Sequence, residues 1–150
     1  MRITLLATAL VAATLAGTAP IGTAFAQGDV IAQRRAGMKR MGEHMQAMRA
    51  VTQGQGEVRA QVARVDDMIA WYRTEPALFP PGSDRGDTRA LPAIWTNRAD
   101  FDRQHVEIAE RLQALRGAAQ AGDAAAFANA FQQVGASCSG CHRPYRAPER

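Results

Sequence analysis

The sequence predicts an all-α protein, an antiparallel four-helix bundle, and three observations carry that prediction. Four segments place apolar residues at alternating steps of three and four, the spacing that lines one face of a helix. No segment alternates apolar and polar residues with the period of two that a half-buried strand needs. Short glycine-containing turns join the first segment to the second and the third to the fourth, which makes each pair antiparallel neighbours.

The first helix is expected from Asp29, a capping residue type, to about Gln53, where Gly54 stops it. Its seam is Ile31, Arg34, Met38, Met41, Met45 and Met48. The second runs from about Glu57 to Arg73 on Val58, Val62, Val65, Ile69 and Tyr72. Between the second and third lies TEPALFPPGSDRGDTRALPAIWT, over twenty residues with four prolines. A loop of that length is usually functional or disordered. Phe79, Leu91, Ile94 and Trp95 argue for order, because they need something to cover. The third helix runs from about Asn97 to Gln120 on Phe101, His105, Ile108, Leu112 and Leu115. The fourth starts at the capping residue Asp123 and carries Phe127, Phe131, Val134, Cys138 and Cys141. Pro144 lacks an N–H and crowds the carbonyl four residues back, so this helix is expected to end or kink at about Arg143.

The residues ahead of the first helix read as an address. Arg2 supplies a positive start, LLATALVAATLAG is short and alanine-rich, and Ala24-Phe25-Ala26 forms a small-x-small site before Gln27. That is the pattern of a cleaved secretory signal over residues 1–26, with 27–150 as one mature domain exported to the periplasm of a Gram-negative-type cell. The alternative, a retained membrane anchor, is opposed by the Thr, Gly and Pro that interrupt the run, so no stable membrane insertion is expected after cleavage. The remaining 124 residues can build one real core. Losing Arg2 takes the formal net charge from +4 to +3, spread along the chain without like-charge blocks. This argues against a nucleic-acid binder. In an oxidising compartment two nearby free thiols would be expected to pair unless something else uses them.

The only two cysteines lie in CSGCHRPYR, Cys138 to Arg146. A CxxCH run is the attachment pattern of a c-type haem: the thiols add across the two vinyl groups, and His142 is placed to donate an imidazole nitrogen to the iron. Other uses of the cysteines fit less well. A thioredoxin-like pair wants a βαβ context. A zinc site needs a fourth ligand, and only His44 and His105 remain, on other helices. A disulfide across two residues of a helix is sterically poor. Because Cys138 and Cys141 fall on the seam, one haem c is expected inside the bundle.

At this point the chain resembles the class II c-type cytochromes, the cytochrome c′ family with its low-spin six-coordinate relatives. The resemblance covers the whole mature chain and rests on DVIAQRRAGMKRMG, FPPGSDRGDTRALPAIW and VGASCSGCHRPYR. Arg34 is odd on an apolar seam. It either meets an anion such as a haem propionate or snorkels out of the seam edge, and the resemblance implies a place beside the haem. Arg35 reaches the same edge or stays in solvent. Met38 and Met41 share the face of Arg34; they either fill core, as Met45 and Met48 do, or look at the distal side of the iron. In five-coordinate members an apolar side chain at the Met38 position covers the iron without bonding, and in low-spin relatives a methionine from this helix ligates it. The resemblance also implies that Asp87 and Thr88 sit near the propionate edge, that Phe79 and Trp95 pack around the ring, and that Arg146 flanks the proximal histidine. His105 is expected to be a hydrogen-bonded interior histidine, and His44 to face solvent.

The function these residues and this resemblance imply is one-electron transfer by a periplasmic mono-haem cytochrome, working with periplasmic redox partners. The alternative is a five-coordinate cytochrome c′ that binds NO or CO. Nothing resembling a distal His and Arg pair at helical spacing supports a haem enzyme. The family often dimerises through its first two helices, so a homodimer stands among the expected partners.

Overall fold

The computed structural model describes residues 21–148, with side chains from residue 29 onward. Its helices are α1 (Ile21–Thr52), α2 (Val62–Thr74), the short α3 (Ala93–Thr96), α4 (Arg98–Ala121) and α5 (Ala124–Tyr145). Single turns of 3-10 helix, Arg59–Gln61 and Glu75–Leu78, extend α2 at both ends. The four principal helices close a ring, with α1 against α2 and α5, α2 against α4, and α4 most extensively against α5. The protein is therefore the all-α four-helix bundle that the stripes predict.

The helix ends follow from local chemistry. Gly122 takes φ 72°, a left-handed conformation that costs glycine little, and the Asp123 amide reaches back to the Ala118 carbonyl at 3.2 Å. Asp123 then caps α5 by accepting from the Ala126 amide at 2.9 Å. α1 departs from expectation. It begins at Ile21, so Asp29 is an interior, exposed helical residue rather than a cap. Ala24, Phe25, Ala26 and Gln27 contain no helix breaker, and a lone Gly28 is tolerated in a helix. Of the expected leader at residues 1–26, residues 1–20 lie outside the described residues, and 21–26 form the first part of α1. Among the described residues no helix is long and apolar enough to cross a membrane.

Two apolar clusters fill the bundle. The larger joins Met48, Val65, Met68, Leu112, Leu115, Phe127 and Val134, all with no exposed surface. The smaller joins Phe79, Ile94, Phe101 and Tyr145 where the long loop meets the end of α5. That loop is ordered. Trp95 Nε1 donates to the Pro80 carbonyl at 3.0 Å, and Arg98 donates to the carbonyls of Pro76 and Phe79 at 3.0 and 3.2 Å. Its far end pairs with the chain after α5: the Leu91 amide donates to Tyr145 O at 3.0 Å and the Ala147 amide to Arg89 O at 2.8 Å.

This clasp explains a second departure. α5 does not stop at Arg143 but runs through Pro144 to Tyr145. The proline removes one bond so close to the helix end that little is lost. The next turn is held from outside, because Tyr145 is 3% exposed and its hydroxyl donates to Asp100, while the Arg146 amide still reaches His142 O at 3.0 Å.

Candidate functional site

The helices that build the core also leave a hollow. A cavity of about 460 Å³ opens between α1, α2, α4, α5 and the long loop. Its α5 side carries Ser137, Cys138, Cys141 and His142. Met38, Phe79, Ile94, Phe101 and Ile108 supply apolar wall, and Arg34, Arg35, Asp87, Thr88 and Arg146 stand among its polar lining.

The two cysteines are free, and both face this cavity. Burial is the main cause that raises both thiols, Cys141 to about 12. Thiols held so high lack the thiolate a redox-active pair works with. Among the described residues no three Cys, His, Asp or Glu side chains gather as a metal cluster, which leaves the zinc reading without ligands. His142 is pushed down to about 4, first by burial and then by the charges of Arg146 and Arg89. Its imidazole is neutral at neutral pH and makes no hydrogen bond to a described residue, so it has a lone pair to offer. Ser137 Oγ is likewise buried without a partner. Two free thiols, one of them beside the Tyr72 hydroxyl, an uncommitted imidazole and apolar walls suit a large flat group held by thioether bonds and one axial nitrogen.

Arg34 is 5% exposed, yet its guanidinium does not wait for a ligand to be satisfied. One terminal nitrogen donates to Leu78 O at 3.1 Å and Ser83 Oγ at 2.9 Å; the other donates to Ser83 O at 2.8 Å and Thr88 Oγ1 at 3.2 Å. The cation also lies 4.5 Å from the centre of the Phe79 ring. Of its five N–H groups, only the Nε–H makes no hydrogen bond to a described residue. Arg34 is thus the peg on which the loop hangs, as well as part of the cavity wall. Arg35 and Asp87 form an exposed ion pair at the mouth.

Met38 lines the cavity, whereas Met41 is 3% exposed inside the larger core and does not line it. Phe79 lines the cavity, and Trp95 backs it edge-on at 6.2 Å between ring centres without reaching the cavity itself. His105 is buried, its Nδ1 2.9 Å from Phe101 O and its Nε2 3.1 Å from Glu75 Oε2. His44 is not the solvent-facing residue expected: its side chain is 14% exposed, with Nε2 2.8 Å from Asp67 Oδ2. Glu75, Tyr72, Gln104 and Ser83 are site residues that sequence reasoning missed. Tyr72 was legible only as seam. Glu75 stood in a loop whose 3-10 turn, which carries it inward, has no periodic signature.

With this geometry in hand, comparison with known proteins places the chain. The profile of the cytochrome C' family matches residues 29–146. A cytochrome c' of Rhodopseudomonas palustris is 37% identical over 90% of this chain and 94% of its own length. A cytochrome c-556 of Agrobacterium tumefaciens is 36% identical over 77% of this chain and 95% of its own. Among solved structures, the cytochrome c' of Thermochromatium tepidum superposes with a TM-score of 0.76 at 32% identity, over 81% of this chain and 97% of its own. A nitric oxide complex of a variant of the Alcaligenes xylosoxidans protein gives 0.75 at 30% identity, over 82% and 97%. The chain belongs to the cytochrome c′ family and carries one covalently attached haem c, for which Cys138 and Cys141 are the two cysteines of the CxxCH motif.

Proposed function

We propose that this cytochrome is a one-electron carrier of the periplasm and not an enzyme, with His142 as proximal iron ligand and Met38 as the distal one. When bound, the haem supplies an iron that alternates between ferric and ferrous states. The chain's part is to hold and tune it. The Cys138 and Cys141 sulfurs anchor the ring edge to α5, and the neutral imidazole of His142 offers its lone pair beside them. Arg34 Nε–H, the Thr88 region and Arg35 offer positive charge and donors to propionates at the mouth, with Asp87 placed to fix Arg35.

The observation that carries the distal assignment is the contrast between two methionines one turn apart. Met38 lines the cavity and Met41 is consumed by the core. A thioether ligand from Met38 would raise the potential of the iron and close it to gases, which suits a carrier. The CSGCH motif and the leader pattern support export before haem attachment, with Gln27 as the first mature residue. Redox partners and a second copy of the chain are the proposed associates.

The second reading, capture of NO or CO at an open iron, is favoured by the Alcaligenes xylosoxidans relative solved as a nitric oxide complex. Optical spectra of the ferric and ferrous holoprotein separate the two. Low-spin spectra with a sulfur-to-iron band near the red end, lost in Met38→Ala and kept in Met41→Ala, are the expected result. A high-spin spectrum that shifts on adding NO or CO would replace the carrier reading with the second.

A further inference from the structure

One pair of titratable groups in the cavity wall is used by none of these roles. His105 of α4 and Glu75, in the turn after α2, are 8% and 1% exposed, and both line the cavity that holds Cys138, Cys141 and His142. Nδ1 of His105 lies 2.9 Å from Phe101 O. A carbonyl only accepts, so Nδ1 carries a hydrogen. Nε2 lies 3.1 Å from Glu75 Oε2, and two bare lone pairs at that distance would repel. One further proton therefore sits between them. With it the pair is neutral, whether written as imidazolium and carboxylate or as imidazole and carboxylic acid. Without it the pair carries one net negative charge in the interior, which is costly even with the Arg34 cation nearby.

We propose that Glu75 and His105 form a redox-linked proton site, which takes up one proton when the haem iron accepts an electron and releases it on oxidation. This rests on the electron-carrier reading. The balance is simple: the electron comes from the redox partner, the proton comes from solvent, and one N–H or O–H bond forms within the pair. Reduction lowers the charge at the iron by one, and in a poorly polarisable interior that change favours a proton nearby.

The surroundings on every packed element are consistent with this. From α2, Tyr72 lies 6.3 Å from the His105 ring, centre to centre. From α4, Asp102 raises the proton affinity of His105. From α1, Arg34 is the nearby cation and feels the charge of Glu75. From α5, the charge of Glu75 reaches both cysteines, which are uncharged thioethers once haem is attached. Arg35, Lys39, Asp87, Arg89, Arg146 and His142 complete the charged and titratable lining. Burial pulls His105 down, but the hydrogen bond and charge of Glu75, together with the Phe101 carbonyl and Asp102, outweigh it, and the net direction is upward from 6.5. The pair holds its proton more tightly than a free imidazole would and loses it as pH rises, earlier when the iron is ferric, so uptake on reduction falls in the pH range between those two losses.

The test is a spectroelectrochemical titration of the holoprotein from mildly acidic to alkaline pH. The ferric-to-ferrous balance should be flat with pH at first, then shift by up to tenfold per pH unit, ~59 mV for one electron, then flatten. Glu75→Gln and His105→Gln should each abolish that slope, while His44→Gln retains it. An indicator dye in weakly buffered solution should report up to one proton taken up on reduction of the wild type and none with either variant. A flat wild-type potential, or a slope that survives in both variants, overturns the proposal. Should neither variant bind haem, the redox-difference infrared spectrum of wild type labelled with carbon-13 at its glutamate carboxyl groups decides: a label-sensitive carboxyl band change, which neither the haem propionates nor His142 can give, upholds the site and its absence overturns it. A flat potential in a low-spin protein that exchanges electrons rapidly leaves the carrier reading intact. A high-spin, NO-binding spectrum removes that reading, and proton uptake on chemical reduction then still decides whether the pair is linked to the iron.

Discussion

Replacing Gly37 with alanine sets two effects of opposite sign against each other. Gly37 lies on α1 where the Trp71 indole of α2 crosses it. A Cβ there would stand 2.5 Å from Cζ3 of Trp71 and closer still to Cη2 and Cζ2. Carbon atoms settle at about 3.5–4.0 Å, so the ring or the helix would have to move by roughly 1.5–2 Å to clear the nearest of three atoms. The indole is rigid, and the Arg40 guanidinium lies 5.6 Å from its centre. Overpacking typically costs about 1–3 kcal/mol, and an overlap this large belongs at the upper end. The helix itself gains about 1 kcal/mol when glycine becomes alanine. The net expectation is a loss of about 2 kcal/mol. Gly42 and Gly117 supply the internal control, because nothing lies within 4 Å of a Cβ at either. Alanine there should stabilise by up to about 1 kcal/mol. Urea unfolding of the three holoprotein variants, followed by far-ultraviolet circular dichroism at matched slopes, reads the difference. If Gly37→Ala proved as stable as Gly42→Ala, the close helix crossing would not exist and the reasoning would fail.

Met41→Ala should cost about 2–5 kcal/mol, because it leaves a void in a closed core, while the haem spectrum stays unchanged; the same unfolding series with an optical scan checks both. Asp123→Ala removes the acceptor for the Ala126 amide and should cost about 1 kcal/mol in unfolding free energy. Asp67 is held below its ordinary 3.8, first by the hydrogen bond from His44 and also by the Arg40 charge. Its contribution is therefore present above 3.8 and is lost as pH falls through the lower folded value. The pair is half-exposed, so the stability difference between wild type and Asp67→Asn should stay within about 1 kcal/mol, shrink with added salt, and vanish in acid.

The bundle was legible in the sequence because burial on a helix has a period. The four stripes name Ile31, Met48, Val65, Leu112, Leu115, Phe127 and Val134, and all of these are buried. Period says which face turns inward but not what it meets there. Met38 and Met41 share a face by spacing, and only the position of α2 and α5 along α1 sends one to the cavity and the other to the core. Arg34 was legible as an anomaly, and its role as the peg of the long loop was not, because Ser83 and Thr88 are about fifty residues away. The same holds for Pro144. Local rules end the helix there, and the clasp between Arg89 and Ala147 carries it past.

The sequence alone named the four helical stripes and the CxxCH run that attaches haem, because periodicity and a contiguous motif are local properties that no folding partner is needed to read. Only the tertiary structure decided which methionine stands across the cavity and which cation ties the loop. It also brought Glu75 against His105, 30 residues away in the chain, in the wall of the same cavity. Those are matters of distance between segments, and distance between segments is set by packing.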